Sequence, residues 1–395
     1  MPGIPAAHLV LALGVLLLGS ASAVACGSIA SGGDEPREER ARERRERGAE
    51  RRAAADEGAP RETPEGTAPA RASEVPLVRG SRPIMSTIYQ ITIVSGDEAR
   101  AQAAIRDALD EVERLGVVLS EWRPDSEVSR INAAAGREPV RVGEDTMANV
   151  REGLRVAEWT DGAYDITWAA LREFYLFQPG HERAPDMDAV RARLPLVAWR
   201  DVVVDEDAST VFLRREGMAL GLGGIAKGWA VDRASAVLQR HGFADFMIFG
   251  GGQVLVHGVR GDRGWRVGIQ HPRRSDYIGF VEATDASIAT SGDYEHAFVG
   301  SDGTRWHHII DLTTGLPATR SVSVTIVAPT GLLADGLDTG CFVMGPEACL
   351  AMLARLPERV DAVIIDSDLR LWMTPGTRER LHMRVELDEQ GRIPR

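Results

Sequence analysis

Gly221-Leu222-Gly223-Gly224-Ile225-Ala226-Lys227-Gly228-Trp229-Ala230-Val231-Asp232 is a glycine-rich turn that runs directly into a helical pattern. Ala226, Ala230, Ala234 and Leu238 recur at helical spacing, and Gly242 stands where such a helix would end. Upstream, Val202-Val203-Val204 and Val211-Phe212-Leu213 read as strands. A strand, a glycine turn and a helix N-terminus gather unpaired backbone N–H groups at one point, where the helix dipole also favours negative charge. The stretch is therefore a candidate phosphate cradle. It lacks the G-x-G-x-x-G spacing of dinucleotide folds, and Lys227 has neither the four-residue spacer nor the Ser or Thr of a P-loop. A plain tight turn built on glycine geometry is the competing reading.

Working outward, Met85-Ser86-Thr87-Ile88-Tyr89-Gln90-Ile91-Thr92-Ile93 alternates like a half-buried strand and places the start of the folded part near Arg82. The periodicity predicts helices over 97–115, 145–159 and from about Leu332. Short strand patterns fall at 246–249, 254–258, 265–269, 279–282, 308–311, 322–327 and 362–365. Helices packed on mostly antiparallel strands describe an α+β domain, here expected over 81–390.

A chain of 395 residues with 44% hydrophobic composition can bury a sizeable core, and its net charge of -12 argues against a nucleic-acid partner. Residues 9–18 form an apolar run of signal-peptide length, followed by small residues up to Cys26, so 1–25 reads as an export signal. Its n-region carries no Lys or Arg. Ala23-Val24-Ala25-Cys26 resembles a lipoprotein site that would put a lipid anchor on Cys26, while cleavage after Ala23 or Ala25 fits the A-x-A rule. The Arg/Glu/Pro-rich composition of 26–80 cannot bury enough apolar surface to fold alone and reads as a disordered tether. Cys341 and Cys349 remain. On one unbroken helix their Cα atoms would stand about 12 Å apart, beyond disulfide reach. Gly345-Pro346 interrupts such a helix, so a disulfide stays open beside the default of two buried thiols.

Chemistry concentrates in two further stretches. In Ala334-Asp335-Gly336-Leu337-Asp338-Thr339, a helix would place Asp335, Asp338 and Thr339 at i, i+3 and i+4 on one face. Hard oxygen donors grouped in this way suit Mg2+ or Ca2+. The competing reading is a first helical turn whose Asp residues complement the dipole. His307-His308-Ile309-Ile310-Asp311 reads as a strand entering a polar turn. A histidine there can act as general base near neutral pH, but neighbours on a strand face opposite ways, so only one of the two can; a structural strand histidine is the competing reading. The polar stretches 120–132, 161–167 and 289–294 read as capping or turn clusters unless they carry a site.

Taken in chain order, several of these stretches resemble the ApbE family of Mg2+-dependent FAD:protein FMN transferases. They are Met85-Ser86-Thr87-Ile88-Tyr89, the segment 126–132, Tyr164-Asp165-Ile166-Thr167, the opening glycine turn, 265–272, Thr290-Ser291-Gly292-Asp293-Tyr294, His308-Ile309-Ile310-Asp311 and 334–339. Each motif is short, but together they keep family order over 85–343, nearly the whole expected folded part. The resemblance implies an enzyme that cleaves the pyrophosphate of FAD and transfers FMN through a phosphoester to a threonine of an acceptor protein, releasing AMP. It implies Mg2+ held by Asp335, Asp338 and Thr339 with the backbone carbonyl of Gly224, and His308 as the base. Met85, Glu121, Trp122, Ala163, Tyr164, Asp165, Gly221 and Lys227 fall where family members contact FAD. The acceptor would be a subunit of a membrane electron-transfer complex, met on the periplasmic side of a bacterial membrane.

Gly221, Phe249, Gln253 and Leu312 depart from the family pattern, which commonly has Asp, Asn, Asp and Pro there. Losing the carboxylate at 221 should remove one polar contact to the flavin dinucleotide, about 1.5–3 kcal/mol. The same scaffold would also suit hydrolysis of FAD to FMN and AMP, with water in place of the acceptor, or flavin binding without turnover.

Overall fold

The computed structural model describes residues 76–395 apart from 176, 178–181 and 302. The chain divides into two units, Met1–Ser73 and Glu74–Arg395. The expected export signal, Cys26 and nearly all of the tether lie outside the described residues.

β1 (Leu77–Ile84) and β2 (Thr87–Val94) form an antiparallel hairpin. The folded part thus begins before Arg82. Met85 and Ser86 belong to the turn and not to a strand, with φ of 50° and 58°, the hand of two-residue turn that matches strand twist. β1 was hidden in the sequence because Arg79, Ser81 and Pro83 of this edge strand face solvent. α1 (Glu98–Val118) is capped by Asp97, α2 (Glu127–Ala133) by Ser126, and β3 (Val140–Arg141) leads to α3 (Glu144–Trp159). After α4 (Met187–Arg193), β4 (Val202–Asp205) and β5 (Thr210–Leu213) join β3 in a small sheet. The strand does not abut the glycine turn, because the loop 214–225 separates β5 from α5 (Ala226–Arg240).

The chain continues through β6 (Phe246–Gly250), β7 (Gln253–His257), β8 (Trp265–Gln270), β9 (Tyr277–Ala283) and β10 (Ala286–Gly292). Short strands β11 (Ala297–Val299), β12 (Arg305–His307), β13 (Ile310–Asp311) and β14 (Leu316–Pro317) precede β15 (Ser321–Ala328). Then come α6 (Gly331–Met344), α7 (Pro346–Leu353), β16 (Asp361–Asp366), β17 (Leu371–Met373), α8 (Pro375–Arg380) and β18 (Leu381–Met383). Packing extends past 390, since Ile393 is buried. Among the described residues the main sheet has eight strands with antiparallel neighbours, in the order β1-β2-β6-β7-β10-β15-β16-β17. Leu255, Val324, Ile326, Ala362 and Ile364 on one face join a core with α1, α5 and α6, while Val254, Val256, Val322, Val363 and Ile365 on the other pack with β8 and β9. Burial on both faces explains why these strands read as continuous apolar runs. Residues 289–292 lie inside β10 in mid-sheet, not in a turn cluster, and only Asp293 and Tyr294 follow it as a turn. No helix among the described residues is long and apolar enough to cross a membrane.

α5 and α6 touch backbone to backbone. A Cβ on Gly228 would stand 2.1 Å from the Gly331 carbonyl oxygen. Each helix caps the other: Asp232 accepts from the N–H groups of Gly331 (2.6 Å) and Leu332 (2.9 Å), and Asp335 from that of Gly228 (2.8 Å). At the far end of α6, Cys341 and Cys349 form a disulfide with Cα atoms 4.9 Å apart, which overturns the default of free thiols. Gly345, at φ 82°, turns the chain between α6 and α7 and removes the 12 Å objection. Cys349→Ala should lower unfolding stability by about 2–3 kcal/mol on loop-closure grounds, read as a shifted denaturant midpoint in non-reducing buffer. An unchanged midpoint would deny the disulfide a stabilising role.

Candidate active site

The loop 214–225 is pinned by Asn132, whose amide donates to the Leu220 carbonyl (2.9 Å) and accepts from the Leu220 N–H (2.7 Å). At Gly221 the N–H donates to the Ile166 carbonyl (2.8 Å) and the carbonyl accepts from Trp168 Nε1 (3.0 Å). A Cβ on Gly221 would lie 2.6 Å from that same Nε1. The indole therefore fills the space a side chain at 221 would need, and the backbone of Gly221 is turned into the protein. Gly221→Asp should destabilise the fold by about 1–3 kcal/mol through overpacking, and Trp168→Ala in the same chain should recover part of the loss. An unshifted unfolding temperature for Gly221→Asp alone would show that the indole moves aside freely.

The expected phosphate cradle is filled by the chain's own carboxylates. The N–H groups of Leu222 and Gly223 point at Glu121, a buried carboxyl whose pKa is raised by desolvation against the pull of Arg172 and those two donors. The N–H groups of Lys227 and Gly228 at the start of α5 point at Asp335. A helix N-terminus favours negative charge, and here that charge is Asp335.

Asp335, Asp338 and Thr339 share one face of α6, beyond its first turn, so helix-dipole complementarity does not account for them. Asp335 Oδ1 accepts from Gln253 Nε2 (2.6 Å) and lies 3.8 Å from Lys227 Nζ. Thr339 Oγ1 donates to Asp338 Oδ1 (3.0 Å) and stands 3.3 Å from Ser291 Oγ. Burial raises both carboxyl pKa values, and the Asp335 charge raises that of Asp338 further. Two buried carboxyls thus share one ammonium, which leaves the cluster short of positive charge. The hydroxyl of Tyr164 and Oε1 of Gln253 are buried without hydrogen-bond partners. A Cβ on Gly224 would stand 3.7 Å from that hydroxyl and 3.9 Å from Thr339 Oγ1, so Gly224 belongs to the same cluster. An all-oxygen donor set with a charge deficit fits a hard divalent cation. Among the described residues no group of three or more His, Cys, Asp or Glu could hold a metal, so such an ion would need neutral oxygens beside the two carboxylates.

The structure separates the two histidines. His307 is buried, its Nδ1 accepting from the Ile309 N–H (3.3 Å) and its Nε2 donating to the Ala318 carbonyl (3.0 Å), so its role is structural. His308 sits between β12 and β13 and not within a strand. Its N–H donates to the His296 carbonyl (3.2 Å) and its ring lies edge-on to that of His296 at 5.3 Å. Desolvation, then the positive influence of His296, His307 and Lys227, pushes its pKa below the ordinary imidazole value. His308 is also exposed to solvent, which screens these neighbouring charges. Lys227 links the halves of the site, paired with Asp335 and acting on His308.

A model of the ApbE family matches residues 85–364. The chain belongs to the ApbE family. Its relatives include the FAD:protein FMN transferases of Treponema pallidum, 34% identical over 320 residues (76% of this chain, 87% of that one), and of Klebsiella pneumoniae, 32% identical over 306 residues (74% and 86%). Among solved structures, the flavin transferase ApbE from Vibrio cholerae superposes with a TM-score of 0.67 at 31% identity, covering 78% of this chain and all of that one. The ApbE protein of Thermotoga maritima gives 0.71 at 28% identity with the same coverage.

The remaining positions at which the ApbE resemblance implied flavin contacts fall into two groups. Met85 lies at the hairpin turn, its Sδ accepting from the Tyr89 hydroxyl (3.4 Å), and Ala163 is half-buried next to Tyr164. Trp122 is 69% exposed with the Arg172 guanidinium 5.3 Å from its ring centre, an aromatic face open to a planar ligand. Asp165, in contrast, is occupied by the chain: Oδ1 accepts from the N–H and hydroxyl of Thr167 (both 2.7 Å) and Oδ2 from the Trp199 N–H (3.0 Å). It braces the 165–168 turn. Nothing local in the sequence marks Trp168 and Gln253 as site residues, because their contacts span 53 and 82 positions. The one sequence signal was that Gly221 and Gln253 both depart from the ApbE pattern.

Proposed function

We propose that this chain catalyses Mg2+-dependent transfer of FMN from FAD to a threonine of an acceptor protein through a phosphoester bond, with release of AMP. The observation that carries the reading is the charge-deficient cluster of Asp335, Asp338 and Thr339 lying within reach of Lys227, whose charge also acts on His308. A divalent ion bound there would neutralise and orient the pyrophosphate. Lys227 adds positive charge on the same side. His308, kept neutral by its surroundings, accepts the proton of the acceptor hydroxyl as it attacks. Asp232, Asn132 and the Gly228–Gly331 contact hold α5, α6 and the glycine loop in fixed relation, so these groups meet a substrate without rearrangement.

The acceptor fits a flavin-carrying subunit of a membrane electron-transfer complex, met outside the cytoplasm on the periplasmic side, with Cys26 as a lipid anchor. The Cys341–Cys349 disulfide supports export, since such bonds persist in oxidising compartments. The test is incubation of the mature chain with FAD, Mg2+ and a threonine-bearing acceptor. Covalent in-gel flavin fluorescence on the acceptor, with AMP released, supports the proposal. AMP and FMN without labelling would make the chain a hydrolase, and FAD binding without AMP a non-catalytic flavin protein.

A further inference from the structure

Gln253 opens β7 directly after Gly251 and Gly252 and is 1% exposed. Its Nε2 donates to Asp335 Oδ1 at 2.6 Å, while its Oε1 is buried with no hydrogen-bond partner. An orphaned amide oxygen in a protein interior calls for a partner. The amide cannot relieve it by turning over in place, because Oε1 would then face the Asp335 carboxylate, acceptor against acceptor. What can satisfy Oε1 is a positive group at Asp335. Lys227 Nζ donates to the Gly223 carbonyl at 2.6 Å and lies 3.8 Å from Asp335 Oδ1, yet it gives Gln253 Oε1 no hydrogen bond. The last torsion of a glutamine side chain is broad, so a small rotation moves Oε1 toward an ion at Asp335. Amide oxygens are ordinary ligands of hard divalent cations, and this one adds a donor without adding charge to a site that already buries two carboxyls.

We propose that Gln253 is a further ligand of the cation site, its Oε1 joining a divalent ion held by Asp335 and Asp338. In the ion-free protein its Nε2 keeps Asp335 in place. The inference rests on the cation reading given under Proposed function, and it assigns a metal-binding role to a position where the family pattern is broken.

The test is calorimetric titration of the FAD-free protein with Mg2+ alone, comparing wild type, Gln253→Met, Gln253→Glu and Asp335→Asn. Gln253→Met keeps the length and removes the oxygen, and should weaken Mg2+ binding about tenfold or more. Gln253→Glu keeps an oxygen and should bind Mg2+ at least as tightly as wild type. Unfolding midpoints in EDTA verify that each variant is folded, and Gln253→Glu reports on the site even where Gln253→Met is unstable. If Gln253→Met binds within about twofold of wild type while Asp335→Asn loses Mg2+, the cation site stands and this inference falls. If Gln253→Met and Gln253→Glu weaken binding equally, only the Nε2 contact matters and the ligand role is overturned. A wild type that binds no Mg2+ overturns both this inference and the cation reading.

Discussion

His308→Ala should lower the rate of acceptor labelling by about a hundred- to ten-thousand-fold, the usual span for a lost general base, and leave FAD affinity within a few-fold of wild type. The separation is expected because His308 packs against His296, whereas the oxygen cluster is built from Gly224, Tyr164, Thr339 and Asp338. The pH profile adds a sign. The working form of a base is the neutral imidazole, which persists above its pKa, and a pKa held below the ordinary 6.5 moves the acid-side loss of activity below that pH. Labelling should therefore be flat from about pH 6.5 to 8 and fall on further acidification. Undiminished labelling by His308→Ala would remove it as the base, and a rate that falls already above pH 6.5 would contradict its depressed pKa.

The two carboxyls of α6 should respond to neutralisation in opposite directions. In Mg2+-free buffer Asp338→Asn should raise the unfolding temperature, because burial and repulsion by Asp335 outweigh the charge of Lys227 and the hydroxyls of Thr339 and Ser291. Asp335→Asn should lower it. Asp335 accepts from Gly228 N–H, Lys227 N–H and Gln253 Nε2, and an asparagine offers a single acceptor oxygen to those donors. Each buried donor left unpaired costs about 1–3 kcal/mol. Both variants should lose the rise in unfolding temperature that Mg2+ gives the wild type, and with it at least about a hundredfold in labelling, since a lost metal site forfeits several kcal/mol of charge stabilisation. A preserved Mg2+ response in either variant would take that residue out of the cation site. A lower ion-free midpoint for Asp338→Asn would mean that its carboxylate is well partnered after all. The opposite signs matter because a merely structural pair would destabilise together. Stability given up for an unneutralised pair of carboxyls is what a functional site looks like.

The sequence by itself determined what local periodicity can carry. The 3.6-residue repeat alone puts Asp335, Asp338 and Thr339 on one face of a helix, and the apolar runs at 254–258, 322–327 and 362–365 form central strands. The order of short motifs along the chain carried the family. What the tertiary structure decided were relations between distant positions. It turned the glycine loop from an anion cradle into a seat for Glu121 and Asp335, set Trp168 into the space above Gly221, tied the His307 ring to the Ala318 carbonyl, and closed the Cys341–Cys349 disulfide across a turn. Those outcomes depend on which backbone donors and buried volumes meet across tens of residues, and hydrogen bonds in a water-poor interior are settled by what is nearest in space. Spacing along a chain reports which face a side chain takes, and only packing reports what already stands there.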